Sequence, residues 1–356
     1  MKVLHVLCDL SSGGAERLVL ELCRRRAPDI EVAVATVGGL GALETLFREA
    51  GVPVLRGGRP RRHLGLRALA RLTGAMRDVD VVHTHLFAGD TWGRLGALLA
   101  GAPRLGGRRP RVVTTEHNVN RDETWQRHVK RALAPASDAI VCVSEAAAAY
   151  TRDVEGIRAP LQVVPNGVDL SRFGPHAGGD GTRVLAIGRR VPQKGFDLLL
   201  AALPEGLHLD IVGEGPWRVE HPRVRYLGRR EDVPGLLARA DILAVPSRWE
   251  GFGLAAAEGL AAGVAVVAAD VDGLREVVGG AGVLVPPEDP GALRAALIRL
   301  SASPSLRAAL GASGRARARE RFDILETVRR YEALYRQLAA GCSDNEDVNG
   351  EGRFPP

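Results

Sequence analysis

The sequence predicts two doubly wound α/β domains in series, each a parallel sheet covered by helices on both faces. Three observations carry the prediction. Short apolar runs alternate with amphipathic stretches along the whole chain, the pattern of strands buried on both sides. The alternation breaks once, at NGVDLSRFGPHAGGDG (166–181), where glycine, proline and polar residues cluster, and then restarts. The 356 residues exceed what one core usually organises and favour two domains.

In the first half the predicted strands are 3–10, 31–37, 52–55, 79–85, 111–117, 139–144 and 161–165. Helices are predicted between them at 14–26, 64–77, 90–100, 123–134 and 145–153. In the second half the strands are 183–188, 207–213, 224–228, 241–247, 264–270 and 282–287, with helices between them and two more at 290–301 and 304–322. The domains are therefore placed at 1–169 and 170–324. A closing helix at 325–340 is expected to cross back onto the first domain. The polar, Gly/Pro-containing tail 341–356 reads as disordered. Two such domains in series place a ligand cleft between them, at the C-terminal ends of the strands.

Composition excludes several function classes. Apolar content of 46% and charged content of 25% are globular values, and aromatics at 4% are too sparse for an aromatic–basic nucleic-acid surface. The four cysteines form no C-x-x-C, so neither a zinc site nor a redox pair is indicated; Cys8 and Cys142 read as core thiols of a reducing compartment. MKVLHVLCDL is strand-like rather than a signal peptide, and no apolar run is long enough to span a membrane. A cytoplasmic protein is expected. Residues 1–169 hold 24 Lys and Arg against 18 Asp and Glu, whereas the remainder is balanced at 24 each. Six arginines from Arg56 to Arg71 are interleaved with leucines, and a second basic loop follows at 104–111. The first stretch reads either as a helix with its leucines in the core and its arginines in water, or as a peripheral contact with the anionic inner face of the cell membrane.

The chemistry centres on SRWEGFGLAAAEGLAAG (247–263). An apolar strand ends there, Glu250 and the glycines Gly251 and Gly253 form a loop around Phe252, and helix formers begin at Leu254. The first backbone N–H groups of such a helix bind phosphate well. Glu258 lies about one turn into the helix, where a carboxylate reaches vicinal hydroxyls such as those of a ribose. In GRRVPQKG (188–195), Arg189 and Lys194 stand beyond another strand end, suited to neutralising a diphosphate leaving group. Only three lysines occur among 45 arginines, which suggests that Lys194 is wanted as a compact ammonium. The first loop carries Gly13 and Gly14, which line the cleft or make a tight turn. His117 ends a strand at the cleft edge and can donate to a sugar hydroxyl. His83 and His85 fall on one side of their strand, without a third metal ligand near in sequence. Asp270 and Asp272 are a candidate Mg²⁺ pair, weighed against ordinary surface acids.

These motifs together resemble the retaining glycosyltransferases of family 4, with the GT-B fold of two Rossmann-like domains. The resemblance rests on GGAER (13–17), VVHTH (81–85), TTEHN (114–118), PNGVD (165–169), GRRVPQKG (188–195), VGEGP (212–216), LGRREDVP (227–234) and EGFGLAAAE (250–258), in order from residue 3 to about 340. It implies that Arg189 and Lys194 bind the donor diphosphate and that Glu258 holds the ribose. Glu250 addresses the transferred sugar, with backbone amides of Gly251, Phe252, Gly253 and Leu254 beside it. His117 contacts the donor sugar, and Gly14 lies in the loop that closes near the donor. No cofactor or metal is implied; the co-substrate is a nucleotide diphosphate sugar, a UDP-sugar ahead of a GDP-sugar. The acceptor is a glycan, a lipid-linked glycan or a small molecule. Asp272, Gly259 and Arg190 depart from the family pattern, where glycine, alanine and leucine are usual. Two rivals accompany this reading. A pyridoxal-phosphate phosphorylase shares the architecture but needs a Schiff-base lysine, and Lys194 sits in the diphosphate pattern instead. A non-catalytic nucleotide-sugar-binding subunit has no need to keep Arg189, Lys194, Glu250 and Glu258 together.

Overall fold

The computed structural model describes residues 1–11, 13–57, 66–102, 109–117, 119 and 124–340. Thirteen parallel strands among these residues form two sheets. The first contains β1 (Lys2–Leu7), β2 (Glu31–Thr36), β3 (Val54–Arg56), β4 (Val81–His85), β5 (Arg111–Glu116), β6 (Ala139–Cys142) and β7 (Leu161–Val163), in the order β3-β2-β1-β4-β5-β6-β7. The second contains β8 (Arg183–Ile187), β9 (His208–Val212), β10 (Val224–Gly228), β11 (Ile242–Val245), β12 (Ala265–Ala269) and β13 (Val283–Val285), in the order β10-β9-β8-β11-β12-β13. Both sheets are doubly wound, and their central strands are buried along most of their length, which is why they read as continuous apolar runs. In each sheet the order reverses beside the first strand, the place where such folds bind ligands.

Helices cover both faces. In the first half they are α1 (Gly14–Arg24), α2 (Glu44–Glu49), α3 (Leu66–Ala75), α4 (Leu86–Ala100), α5 (Thr124–Leu133) and α6 (Glu145–Asp153). In the second half they are α7 (Phe196–Ala202), α8 (Val233–Arg239), α9 (Leu254–Ala262), α10 (Asp272–Val278), α11 (Pro290–Ala302) and α12 (Pro304–Arg321), and α13 (Ile324–Ala340) ends the described chain. Two local expectations are corrected. Helix α2 is less than two turns built around the buried Phe47, too short for a periodic signal. Helix α4 starts at Leu86, directly after the strand, because Leu86 takes φ +62° and turns the chain within one residue.

The chain crosses between the domains twice, and the crossings lie side by side. Val168 donates its N–H to Phe322 O at 2.8 Å, and Ile324 donates to Val168 O at 3.1 Å. From there α13 returns to the first sheet. Ile324, Val328, Tyr331, Leu334 and Tyr335 pack among Val3, Leu18, Val81, Val113 and Val141. Glu332 accepts from Ala27 N at 2.6 Å, and Arg336 pairs with Asp29 at 3.0 Å.

The C-terminal ends of the two sheets face each other. Ser144, beyond β6, donates to Gly251 O beyond β11 at 2.5 Å, and Glu276 of α10 accepts from Glu145 N at 2.9 Å. In α3, Ala68 and Leu72 enter the core and Arg67 and Arg71 face solvent; residues 58–65 of the basic segment, the basic loop at 103–108 and the tail 341–356 lie outside the described residues. No helix among the described residues is long and apolar enough to cross a membrane.

Candidate active site

The loop between β8 and α7 ends in a short 3-10 turn, Pro192–Lys194. Gly195 follows at φ +63°, where a Cβ would collide with the carbonyl of Pro246, so glycine lets this loop lie against the end of β11. Lys194 and Glu250, 56 positions apart, thereby meet. Lys194 Nζ donates to Glu250 Oε1 at 2.5 Å, and Ser247 Oγ donates to the same oxygen at 2.8 Å. Both charged side chains are mostly buried, at 19% and 10% exposure. The two residues, expected to serve different parts of a donor, form one ion pair.

The next residues build the helix start. Gly253 caps α9 at φ +99°, where a Cβ would collide with Leu274. The Phe252 side chain enters the core and meets Phe322 edge-on at 5.4 Å, leaving only its backbone to the cleft. Across the cleft, a Cβ on Gly14 would stand 3.0 Å from Leu254 Cδ1, so the start of α1 closely approaches the start of α9. Arg189 is exposed at the end of β8. Burial and Asp9 raise the Glu16 carboxyl, while a backbone hydrogen bond, the neighbouring Ser11 hydroxyl and the Arg189 charge across the cleft oppose them.

Glu258 and Leu254 line an interdomain cavity of about 450 Å³ with Arg17, Arg25, Asp169 and Arg172. Burial raises the Glu258 carboxyl, and Arg17 and Arg172 work against that rise. A carboxylate in the field of two guanidinium groups, one turn into α9, accepts from vicinal hydroxyls well.

His117, at the end of β5, bonds back into its own domain: its Nε2 lies 3.0 Å from His85 Nδ1. Its Nδ1 is buried without a hydrogen-bond partner, and burial takes the ring down to about 4. His83 and His85 do share a face, and the third histidine there is His5 of β1, whose in-register partner is His83. Sequence separation hid it; the signal was a histidine on the strand that pairs with β4.

Other candidates resolve into structural parts. Asp270 and Asp272 both pair with Arg275, at 2.6 and 2.9 Å, so an arginine holds the proposed Mg²⁺ pair, and Asp272 is largely exposed. Arg190 turns away from the cleft, donating to Trp217 O at 2.8 Å over the Tyr226 ring. Lys130 is buried between Glu116 and Glu155 at 2.7 and 2.6 Å. Burial alone would raise Glu116, but Lys130 outweighs it and holds the carboxyl below its ordinary value.

Residues 12–172 match the family described as Glycosyltransferase Family 4, and residues 181–303 the family described as Glycosyl transferases group 1. The chain is 31% identical over 319 residues to the MMP alpha-(1->4)-mannosyltransferase of Mycolicibacterium hassiacum, covering 77% of this chain and 75% of that protein. It belongs to the group 1, family 4 glycosyltransferases. The transferase is also 31% identical to the lipopolysaccharide core biosynthesis mannosyltransferase of Rhizobium meliloti, over 64% of this chain and 72% of that one. Among solved structures it superposes on Anabaena HepE in complex with UDP and glucose, with a TM-score of 0.82 at 21% identity over 94% of this chain and 99% of that one. The sucrose-phosphate synthase of Thermosynechococcus elongatus follows at 0.79 and 22%, over 96% of this chain and the whole of the other. The fold is GT-B, two Rossmann-like domains facing across a cleft.

Proposed function

We propose that the transferase moves a mannosyl or glucosyl residue from a nucleoside diphosphate sugar to a hydroxyl of a glycan or lipid-linked acceptor, with retention and without a metal ion. The observation that carries this is the Lys194–Glu250–Ser247 cluster at the glycine-capped start of α9, beside the cavity holding Glu258. Glu258 takes the ribose hydroxyls. Arg189 and Lys194 take the diphosphate, which competes with Glu250 for the ammonium. Glu250, so released, turns to the sugar, which His117 meets from the first domain. The acceptor hydroxyl attacks C1 on the face that the diphosphate leaves, and the departing phosphate oxygen takes its proton. Positioning and charge neutralisation supply the rate enhancement, as they do wherever no side chain acts as nucleophile.

For the donor we place GDP-mannose first and a UDP-sugar second. Two relatives named as GDP-mannose-dependent mannosyltransferases are 32% identical to this chain, whereas the UDP-bound neighbours, at 21–22%, bear on the fold alone. A thermal-shift series with GDP, UDP and their sugars tests this: a ligand at a hundred times its Kd adds about 2.7 kcal/mol of stability. Donor hydrolysis and transfer assays follow. A folded protein that no nucleotide stabilises and that hydrolyses no donor overturns the reading.

The same proposal places the enzyme at the inner face of the cell membrane, its acceptor presented beside the basic stretch from Arg56 to Arg71. The exposed Arg67 and Arg71 of α3 support it. Flotation with anionic vesicles at low salt checks it, and absence of binding removes it.

A further inference from the structure

A buried serine of the first domain holds a carbonyl in the donor loop of the second. Ser144 is fully buried and caps α6, its Oγ accepting from Ala147 N at 2.9 Å. The same Oγ donates to Gly251 O, 107 positions along the chain, at 2.5 Å. A hydroxyl has one proton and two lone pairs, so the cap and the interdomain bond do not compete. The start of a helix also leaves N–H groups without an internal partner. Two of those of α6 go to the second domain: Glu145 N and Ala146 N donate to Glu276 Oε2 of α10 at 2.9 and 3.3 Å. The start of α6 is therefore seated on α10 and on the loop before α9 at once.

That loop is also packed from its own domain. A Cβ on Gly273, one turn before Glu276 in α10, would stand 2.4 Å from Glu250 O, and one on Gly253 would meet Leu274. Its backbone is less well held by hydrogen bonds. Among the described residues Ser144 Oγ is the one partner of the Gly251 carbonyl, and the N–H groups of Gly251, Phe252, Gly253 and Leu254 make no hydrogen bond. The peptide from Gly251 to Phe252 is trans and planar, so its N–H points opposite to its carbonyl. Fixing the carbonyl fixes the N–H. Without that bond Gly251, which has no Cβ, leaves the peptide free to tilt.

We propose that Ser144 is a positioning residue for sugar transfer. Its hydroxyl holds the Gly251–Phe252 peptide from across the cleft, and so aims the unpaired amides of the loop. The proposal rests on the reading that these amides meet the donor sugar and its phosphate. The nucleoside end of the donor is held separately, by Glu258 further along α9. Loss of the Ser144 hydroxyl therefore misplaces the reacting end of the donor and leaves the nucleotide anchored.

Ser144→Gly tests this, because glycine is itself a favoured N-cap but has no hydroxyl to donate. It should lower kcat for transfer about ten- to a hundred-fold, the cost of a misplaced group, while the affinity for GDP and UDP stays as in the unmodified protein. Ser144→Thr, which keeps the hydroxyl, should restore most of the rate. Hydrogen exchange read by mass spectrometry on the full chain without ligand gives a second measure. The amides from Gly251 to Leu254 should exchange about five- to ten-fold faster in Ser144→Gly, the worth of one hydrogen bond, and slow again in Ser144→Thr. A folded Ser144→Gly with unchanged kcat overturns the proposal, and so does unchanged exchange of the loop. If Ser144→Gly does not fold, Ser144→Ala takes its place in both measurements. An unmodified protein that turns over neither GDP-mannose nor a UDP-sugar removes the donor reading instead, and the exchange measurement still decides whether Ser144 holds the loop.

Discussion

Mild acid should destabilise this protein, and the buried histidines set the size of the effect. In the unfolded chain each of the four titrates at its ordinary value of 6.5. In the folded chain burial depresses His5 to about 3 and His117 to about 4, and pushes His83 and His85 well below that ordinary value. The unfolded state therefore binds more protons, and the stability these groups contribute is full above pH 6.5 and is lost as pH falls toward the folded values. Between pH 7 and 5.5 the linkage integral is roughly 1 kcal/mol per histidine, or about 4 to 5 kcal/mol for the four. Asp90 runs the other way. Burial lifts its carboxyl to about 6 against the pull of Arg94, so the folded state gains a proton there and recovers just under ~1 kcal/mol over the same interval. The net loss of about 4 kcal/mol is large against the usual 5–15 kcal/mol of a domain. Urea midpoints at four pH values between 7 and 5.5 measure it, and His5→Phe should reduce the dependence by about a quarter. A midpoint that stays level across that range refutes the reasoning, because it requires these rings to be protonated, or exposed, in the folded protein.

Three other outcomes follow from the site. Lys194→Ala should lower donor turnover on the order of a hundred-fold or more, with the fold retained by circular dichroism; near-normal turnover in the folded variant would count against the diphosphate role. Glu258→Ala should weaken nucleoside diphosphate binding about ten- to a hundred-fold, the worth of charge-assisted hydrogen bonds, as titration calorimetry reads it; unchanged affinity removes the ribose contact. Tyr335→Phe should cost about 1–2 kcal/mol through the unpaired His83 nitrogen, visible in the urea midpoint and without effect on donor affinity.

Most of the fold was legible because burial on both faces leaves a signature in each strand separately. Runs such as VDVVHTH and DILAVPS need no partner to be recognised. Helix α2 was not legible, since one and a half turns carry no period, and the start of α4 was hidden by the left-handed Leu86. At the site, the loop glycines, the second glutamate one turn into α9 and the two cations beyond β8 could be placed from local spacing. The motif order then pointed to the family to which the comparisons assign the chain.

Local pattern alone thus determined the two parallel sheets, the cleft-facing loops and the class of ligand those loops suit. Only the tertiary structure decided which of those residues meet. Lys194 and Glu250 become one ion pair because Gly195 lets two loops lie together. Arg17 and Arg172 come to Glu258 only because the domains face each other. His5, 78 positions before His83, joins His83 and His85 because β1 pairs with β4. Hydrogen bonds and charge pairs depend on distances of a few ångströms, and those distances are set by strand register and domain packing rather than by spacing along the chain.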